Sequence, residues 1–163
     1  MAGLSFFTGW KAWRQFKKLP WEWRTIVVYS ESGQDWHQFS GLIETLNGPL
    51  GRKLTYVTSD ASDPGLARTH ENFRAFCIPE GLFLTIFFHV NQSDVFVLTM
   101  MDLQNLQLKR SLHPVHYIYL FHSMGSTHMV DHEDSFDHYE TLFCAGPHQV
   151  KEIRRREELK GLP

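Results

Sequence analysis

The chain of 163 residues has only two cysteines, Cys77 and Cys144, set far apart in apolar runs. That excludes a disulfide framework and reads as two small buried apolar side chains in a reducing compartment. Long hydrophobic runs are missing too. The longest, from Gly81 to Val90, falls well short of the ~18 residues of a spanning helix and contains His89. The N-terminus has neither the apolar core nor the small-residue cleavage site of a secretory leader. The expected compartment is therefore the cytoplasm. Excess charge of one sign is lacking as well: the net charge is −2, so the chain as a whole has no footprint for nucleic acid.

Several catalytic signatures are also absent. The turn Ser30-Glu31-Ser32-Gly33 holds one glycine and no G-x-G-x-x-G, and there is no Walker A loop, no G-x-S-x-G elbow and no C-x-x-C pair. A dinucleotide oxidoreductase, a P-loop NTPase and an α/β-hydrolase all lose their main support. No cofactor is implied.

Aromatic residues, by contrast, are abundant at 14%, with five tryptophans. Phe6, Phe7, Trp10, Trp13, Phe16 and Leu19 recur at spacings of three and four, a helical stripe that Pro20 ends. Lys11, Arg14, Lys17, Lys18 and Arg24 face only Glu22 in charge. Residues 1–24 thus form an amphipathic N-terminal segment. It either lies on a membrane surface or packs its stripe on the domain that follows.

From residue 25 to 163 short β-branched runs alternate with amphipathic stretches. Strands are expected at 25–29, 54–58, 73–78, 95–100, 115–121 and 141–145. Helices are expected at 36–46, 81–89 and 147–160, the second of them buried. This alternation predicts a Rossmann-like three-layer α/β domain with a mainly parallel sheet. Ligands of such sheets bind outside the carboxyl ends of the strands, which selects Ser30–Gly33, Ser59–Asp63, Thr99–Asp102, His122–Ser126 and Gly146–His148.

Seven of the ten histidines fall between 113 and 148. His122 directly follows the run Tyr117–Phe121, at the carboxyl end of an expected strand, and a small polar loop with Ser123, Ser126 and Thr127 comes next. Imidazole is the side chain that exchanges a proton near neutral pH, so a histidine there can take one from an acceptor hydroxyl; the plainer reading is a loop-capping hydrogen bond. His148 opens the last helix, where backbone amides can face an anion; the plainer and slightly favoured reading is a surface helix start. His128 and His132 have i, i+4 spacing beside Asp131 and Asp134, but without H-E-x-x-H they read as a solvated segment, not a metal site. Asp60 to Gly65 is foremost a turn, with a sugar or glycerol hydroxyl as its alternative ligand. Lys109-Arg110 and Arg154–Arg156 read as solvated surface, the former with phosphate as an alternative.

Taken in order, Tyr56–Asp60 with Asp63–Leu66, His113-Pro-Val-His116, Phe121-His-Ser-Met124 with Ser126-Thr-His-Met129, Phe136-Asp-His-Tyr139 and Gly146-Pro-His148 resemble the CDP-glycerol glycerophosphotransferase family. These are enzymes of teichoic-acid-type polymer synthesis, and the resemblance runs from about Trp23 to Pro163. It implies one half of a GT-B-like architecture, with the active site in a cleft between two Rossmann-type domains. Glycerol phosphate would pass from a CDP-glycerol donor to a hydroxyl of a lipid-linked polyol-phosphate or glycan acceptor, with loss of CMP. Family members carry a histidine–glycine pair at the end of an N-terminal-domain strand, and that histidine is the proposed base. His122 takes this place, with Ser123 standing where the family has glycine.

Around that base Ser123, Ser126 and Thr127 are expected to form its loop, with Ser30, Glu31 and Gly33 across the cleft and His148 as a further substrate contact. The donor site would lie mainly in a C-terminal domain, so this domain alone is expected to be inactive. An enzyme of this kind works peripherally on the inner face of the cell membrane. Two alternatives stay open: a non-catalytic, membrane-associated partner module, and half of another GT-B-like nucleotide-sugar enzyme. Homo-oligomerisation is also open.

Overall fold

The structure is a computed structural model that describes residues 2–101, 103, 108–122 and 135–161, with side chains from residue 7 onward. Its six strands are β1 (Ile26–Ser30), β2 (Leu54–Thr58), β3 (Phe73–Cys77), β4 (Val95–Leu98), β5 (His116–Leu120) and β6 (Thr141–Phe143). Its α-helices are α1 (Ala2–Lys18), α2 (Trp36–Asn47), α3 (Leu82–Val90) and α4 (Pro147–Lys160). Short 3₁₀ turns at Trp21–Trp23, Gly33–Asp35 and Pro64–Ala67 complete it.

The strands form one parallel sheet in the order β3-β2-β1-β4-β5-β6. This is the doubly wound Rossmann-like arrangement. The chain builds outward from β1 in one direction, then returns to β1 and builds outward in the other. The order therefore reverses between β1 and β4, which pair through Val27 with Phe96 and Val28 with Val97.

The β-branched run at Ile26–Val28 and the fully buried β2 explain why these strands sit in the middle, where both faces need apolar side chains. On one face Val28, Tyr56 and Val97 meet Phe39 and Ile43 of α2. On the other Val27, Tyr29, Val57, Phe96 and Tyr117 meet Phe87 and Phe88 of α3 and Phe16 of α1. Farther along that second face, Tyr119 packs on Phe136 and Ile153 of α4.

Three sequence expectations need correction. The aromatic stripe of α1 is divided: Ala12 and Phe16 are buried and Trp13 packs on Phe83, whereas Phe7 is 68% exposed and Trp10 40% exposed. Phe16 meets Phe87 edge-on at 5.1 Å between centroids, and Gly9 comes close enough that a β-carbon there would lie 3.3 Å from Phe83. Helix α3 is buried along one side only, since Leu82 and Val90 face outward. Cys77 and Cys144 are half-buried free thiols, both pushed upward in pKa first by burial. No described helix is long and apolar enough to cross a membrane.

Candidate functional site at the carboxyl edge of the sheet

Because every strand runs the same way, the segments following β1, β2, β4, β5 and β6 all emerge at one edge. The reversal between β1 and β4 leaves the two loops there diverging, which is where ligands of open α/β sheets settle.

The β1 side is built around a locked loop. Ser30 is fully buried, and its hydroxyl donates to the Ser32 carbonyl at 2.7 Å, so it shapes the loop from beneath. Ser32 then caps the following 3₁₀ turn by accepting the Gln34 N–H. The Gly33 N–H donates to Asp60 Oδ2 at 2.9 Å, across from the end of β2. A β-carbon on Gly33 would stand 3.0 Å from Asp63 Cα and 3.2 Å from Pro64 Cδ, so any larger residue would press on the backbone of the facing turn.

Asp60 accepts three donors: the Ser62 hydroxyl at 2.6 Å, the Ser62 amide at 2.8 Å and the Gly33 amide. The Ser62 hydroxyl foremost, then the two amides, hold its carboxyl below the usual carboxylate range. Asp63 is spent differently. It is 3% exposed, accepts the Tyr56 phenol at 2.7 Å and caps the Pro64–Ala67 turn through Gly65 N–H at 2.7 Å. Asp60 to Gly65 is therefore a turn that fastens two loops together, and its carboxylates serve the fold.

Glu31 is exposed, and its charge acts on both Tyr29 and Tyr139. Tyr139 comes from the segment before β6, and its phenol donates to the Met100 carbonyl just past β4. Burial, first, and then the neighbouring Tyr119 and Glu31 push that phenol's pKa far up, so it stays a neutral donor. Nothing in the sequence marked Tyr139 as a bridge across the sheet.

His122 leaves the end of β5 exposed to solvent. Its base is firm: the Phe121 N–H donates to the Phe143 carbonyl, and the Phe121 ring packs on Tyr119 and Phe136 at 4.9 and 5.2 Å. His148 is exposed in the first turn of α4, beside Gln149, whose buried side chain accepts the Ala145 N–H at 2.7 Å. With strands about 4.8 Å apart, one strand separates the Glu31 loop from His122, and His148 follows the strand next to it. The structure thus brings Glu31, His122 and His148 to a single edge, with Ser30 and Gly33 supporting it. Ser123, Ser126, Thr127, His128, His132, Asp131 and Asp134 lie outside the described residues.

Arg110 does not offer itself to phosphate. It donates to the carbonyls of His138 and Val115, pairs with Glu140 and stacks on Tyr117 at 4.5 Å, while Glu140 accepts the Tyr117 N–H at 2.7 Å. A cavity of about 550 Å³ runs along β6 beneath α4, lined by Phe136, Tyr139, Cys144, Ile153, Arg156 and Lys160 among others. It lies along the edge strand and not across the strand ends, and its charges pair locally, Lys160 with Asp137 at 2.8 Å and Arg154 with Glu157 at 2.7 Å. The carboxyl edge, where the topology converges, is the better candidate. Among the described residues no group of histidines, cysteines and acids is arranged to hold a metal ion.

Comparison with known proteins returns no matching family model, curated protein or solved structure.

Proposed function

We propose that this domain is the acceptor side of a CDP-glycerol glycerophosphotransferase-like enzyme, with His122 as the base. The observation that carries the reading is the exposed imidazole at the carboxyl end of β5, on the same edge as Glu31 and His148. The ordered motifs around Tyr56–Asp60, Phe121–Met124 and Gly146–His148 support the substrate class.

In this reading a hydroxyl of a lipid-linked polyol phosphate or glycan enters the edge and donates to His122. As its oxygen attacks the glycerol-bearing phosphorus of CDP-glycerol, the proton passes to the imidazole. The bond from that phosphorus to the bridging oxygen breaks, and CMP departs with the electron pair. A second domain supplies the donor site. The anchored floor beneath His122, from Phe121 and its ring contacts, fixes where the base emerges.

The test is CMP release from CDP-glycerol in the enzyme with both domains. His122→Ala lowers turnover by about 10² to 10⁴, the usual span of general-base catalysis, and leaves the melting transition unchanged. Undiminished turnover removes His122 from the chemistry.

A further inference from the structure

Helix α1 has two faces, and one of them packs on the domain. Gly9, Ala12 and Phe16 turn toward α3 and the sheet. At about 100° per residue, Phe7, Trp10, Lys11, Arg14 and Lys18 form a second stripe on roughly the opposite side, and all five are exposed. Two large aromatic residues stand on that side, Phe7 at 68% and Trp10 at 40% exposure.

The charge pattern points the same way. Residues 7–18 contain no acid, and Lys11–Arg14, Arg14–Lys17 and Arg14–Lys18 are like-charge neighbours at i, i+3 or i, i+4. Such pairs destabilise a helix in water by a few tenths of a kcal/mol each, and a negative surface relieves them. Residues 1–24 hold five cations and one acid, so the remaining 139 residues carry a net −6. The single acid, Glu22, is already paired with Lys53 at 2.6 Å. The guanidinium of Arg14 lies over the Trp10 ring at 4.8 Å and that of Arg24 over Trp21, itself 47% exposed, at 5.6 Å. A flat aromatic ring beside a cation on a long apolar stem suits the boundary between lipid headgroups and acyl chains.

We infer that the outward face of α1 docks the domain on an anionic lipid surface, with Phe7 and Trp10 at the headgroup level and Lys11, Arg14 and Lys18 on the phosphates. The acidic remainder of the molecule is then repelled from the membrane, which orients the domain with α1 down. The inference is independent of the transferase reading, because it concerns binding and not turnover.

The experiment is flotation of the 163-residue chain with vesicles of phosphatidylcholine alone and of phosphatidylcholine with one third phosphatidylglycerol. The chain partitions onto the anionic vesicles, and partition falls as salt screens the charges. Each neutralised cation weakens it about fivefold, so Lys11→Glu/Arg14→Glu/Lys18→Glu loses more than about 100-fold, and Phe7→Ala/Trp10→Ala loses several-fold. All five positions are exposed, so both variants keep the wild-type melting temperature, which is measured alongside. Equal partition onto neutral vesicles, no partition onto anionic vesicles at low salt, or full retention by either folded variant overturns the inference.

Discussion

The carboxylate of Asp60, at the end of β2, accepts the backbone N–H of Gly33, in the loop that leaves β1, at 2.9 Å. This one bond joins two of the segments that shape the carboxyl edge. Ser62 holds the same carboxylate from the other side, so the Glu31 loop is fixed before any ligand arrives. Loop preorganisation of this kind lowers the cost of ordering a site on binding.

The Asp60 lock has a pH signature. Its folded pKa lies below the unfolded value near 3.9, so its contribution to stability is present above that value and lost as pH falls through the folded pKa. Urea midpoints of wild type and Asp60→Asn should therefore differ at pH 7 and converge in acid below about pH 4. A gap that stays constant across this range would show that the charge of Asp60 does not hold the loop.

Beneath that loop, Tyr56 and Gly65 meet around Asp63. A β-carbon on Gly65, which is buried, would stand 2.7 Å from the rings of both Trp36 and Tyr56. Gly65→Ala should cost about 1–3 kcal/mol by overpacking. Tyr56→Phe should cost about 1–3 kcal/mol by leaving a buried Asp63 oxygen without its donor. Equilibrium denaturation measures both; a loss below the scatter for either would place the Asp63 cluster outside the stabilising core.

Helix α1 should melt with the domain. Phe16 is 4% exposed and meets both Phe76 and Phe87 edge-on, so Phe16→Ala should lose about 3–5 kcal/mol. Trp10→Ala, on the outward side, should change stability by no more than about 0.5 kcal/mol. A single thermal transition carrying both effects is expected by circular dichroism, and a separate early transition for α1 would contradict its place in the core.

Much of this architecture can be read in the residues. Short runs without a charged residue at 25–29 and 54–58, separated by an amphipathic helix, already suggest a parallel pair, because neither run has a charged face to turn outward. The ends are less legible. Thr99 and Met100 extend the apolar run of β4, yet the ladder stops at Leu98, where Met100 turns its carbonyl to Tyr139. The stripe of α1 shows period but not direction, and only the partner helix decides that Phe16 faces inward and Phe7 outward. The placement of His122, Glu31 and His148 on one edge follows from strand order. The Gly33–Asp60 and Tyr139–Met100 bonds do not, because they join residues 27 and 39 positions apart through contacts that no local pattern encodes.

In the proposed function this edge receives a polyol-phosphate acceptor at His122 and leaves the nucleotide to a second domain. The most direct measurement is a titration of the ¹³C-labelled histidines of the 163-residue chain, with the His122 resonance assigned by His122→Gln. The account predicts that a soluble glycerol-phosphate oligomer shifts the His122 signal in a saturable manner, while CMP and CDP-glycerol leave it in place. Saturable shifts with CMP and none with the oligomer would contradict it, and would place a nucleotide site in this domain.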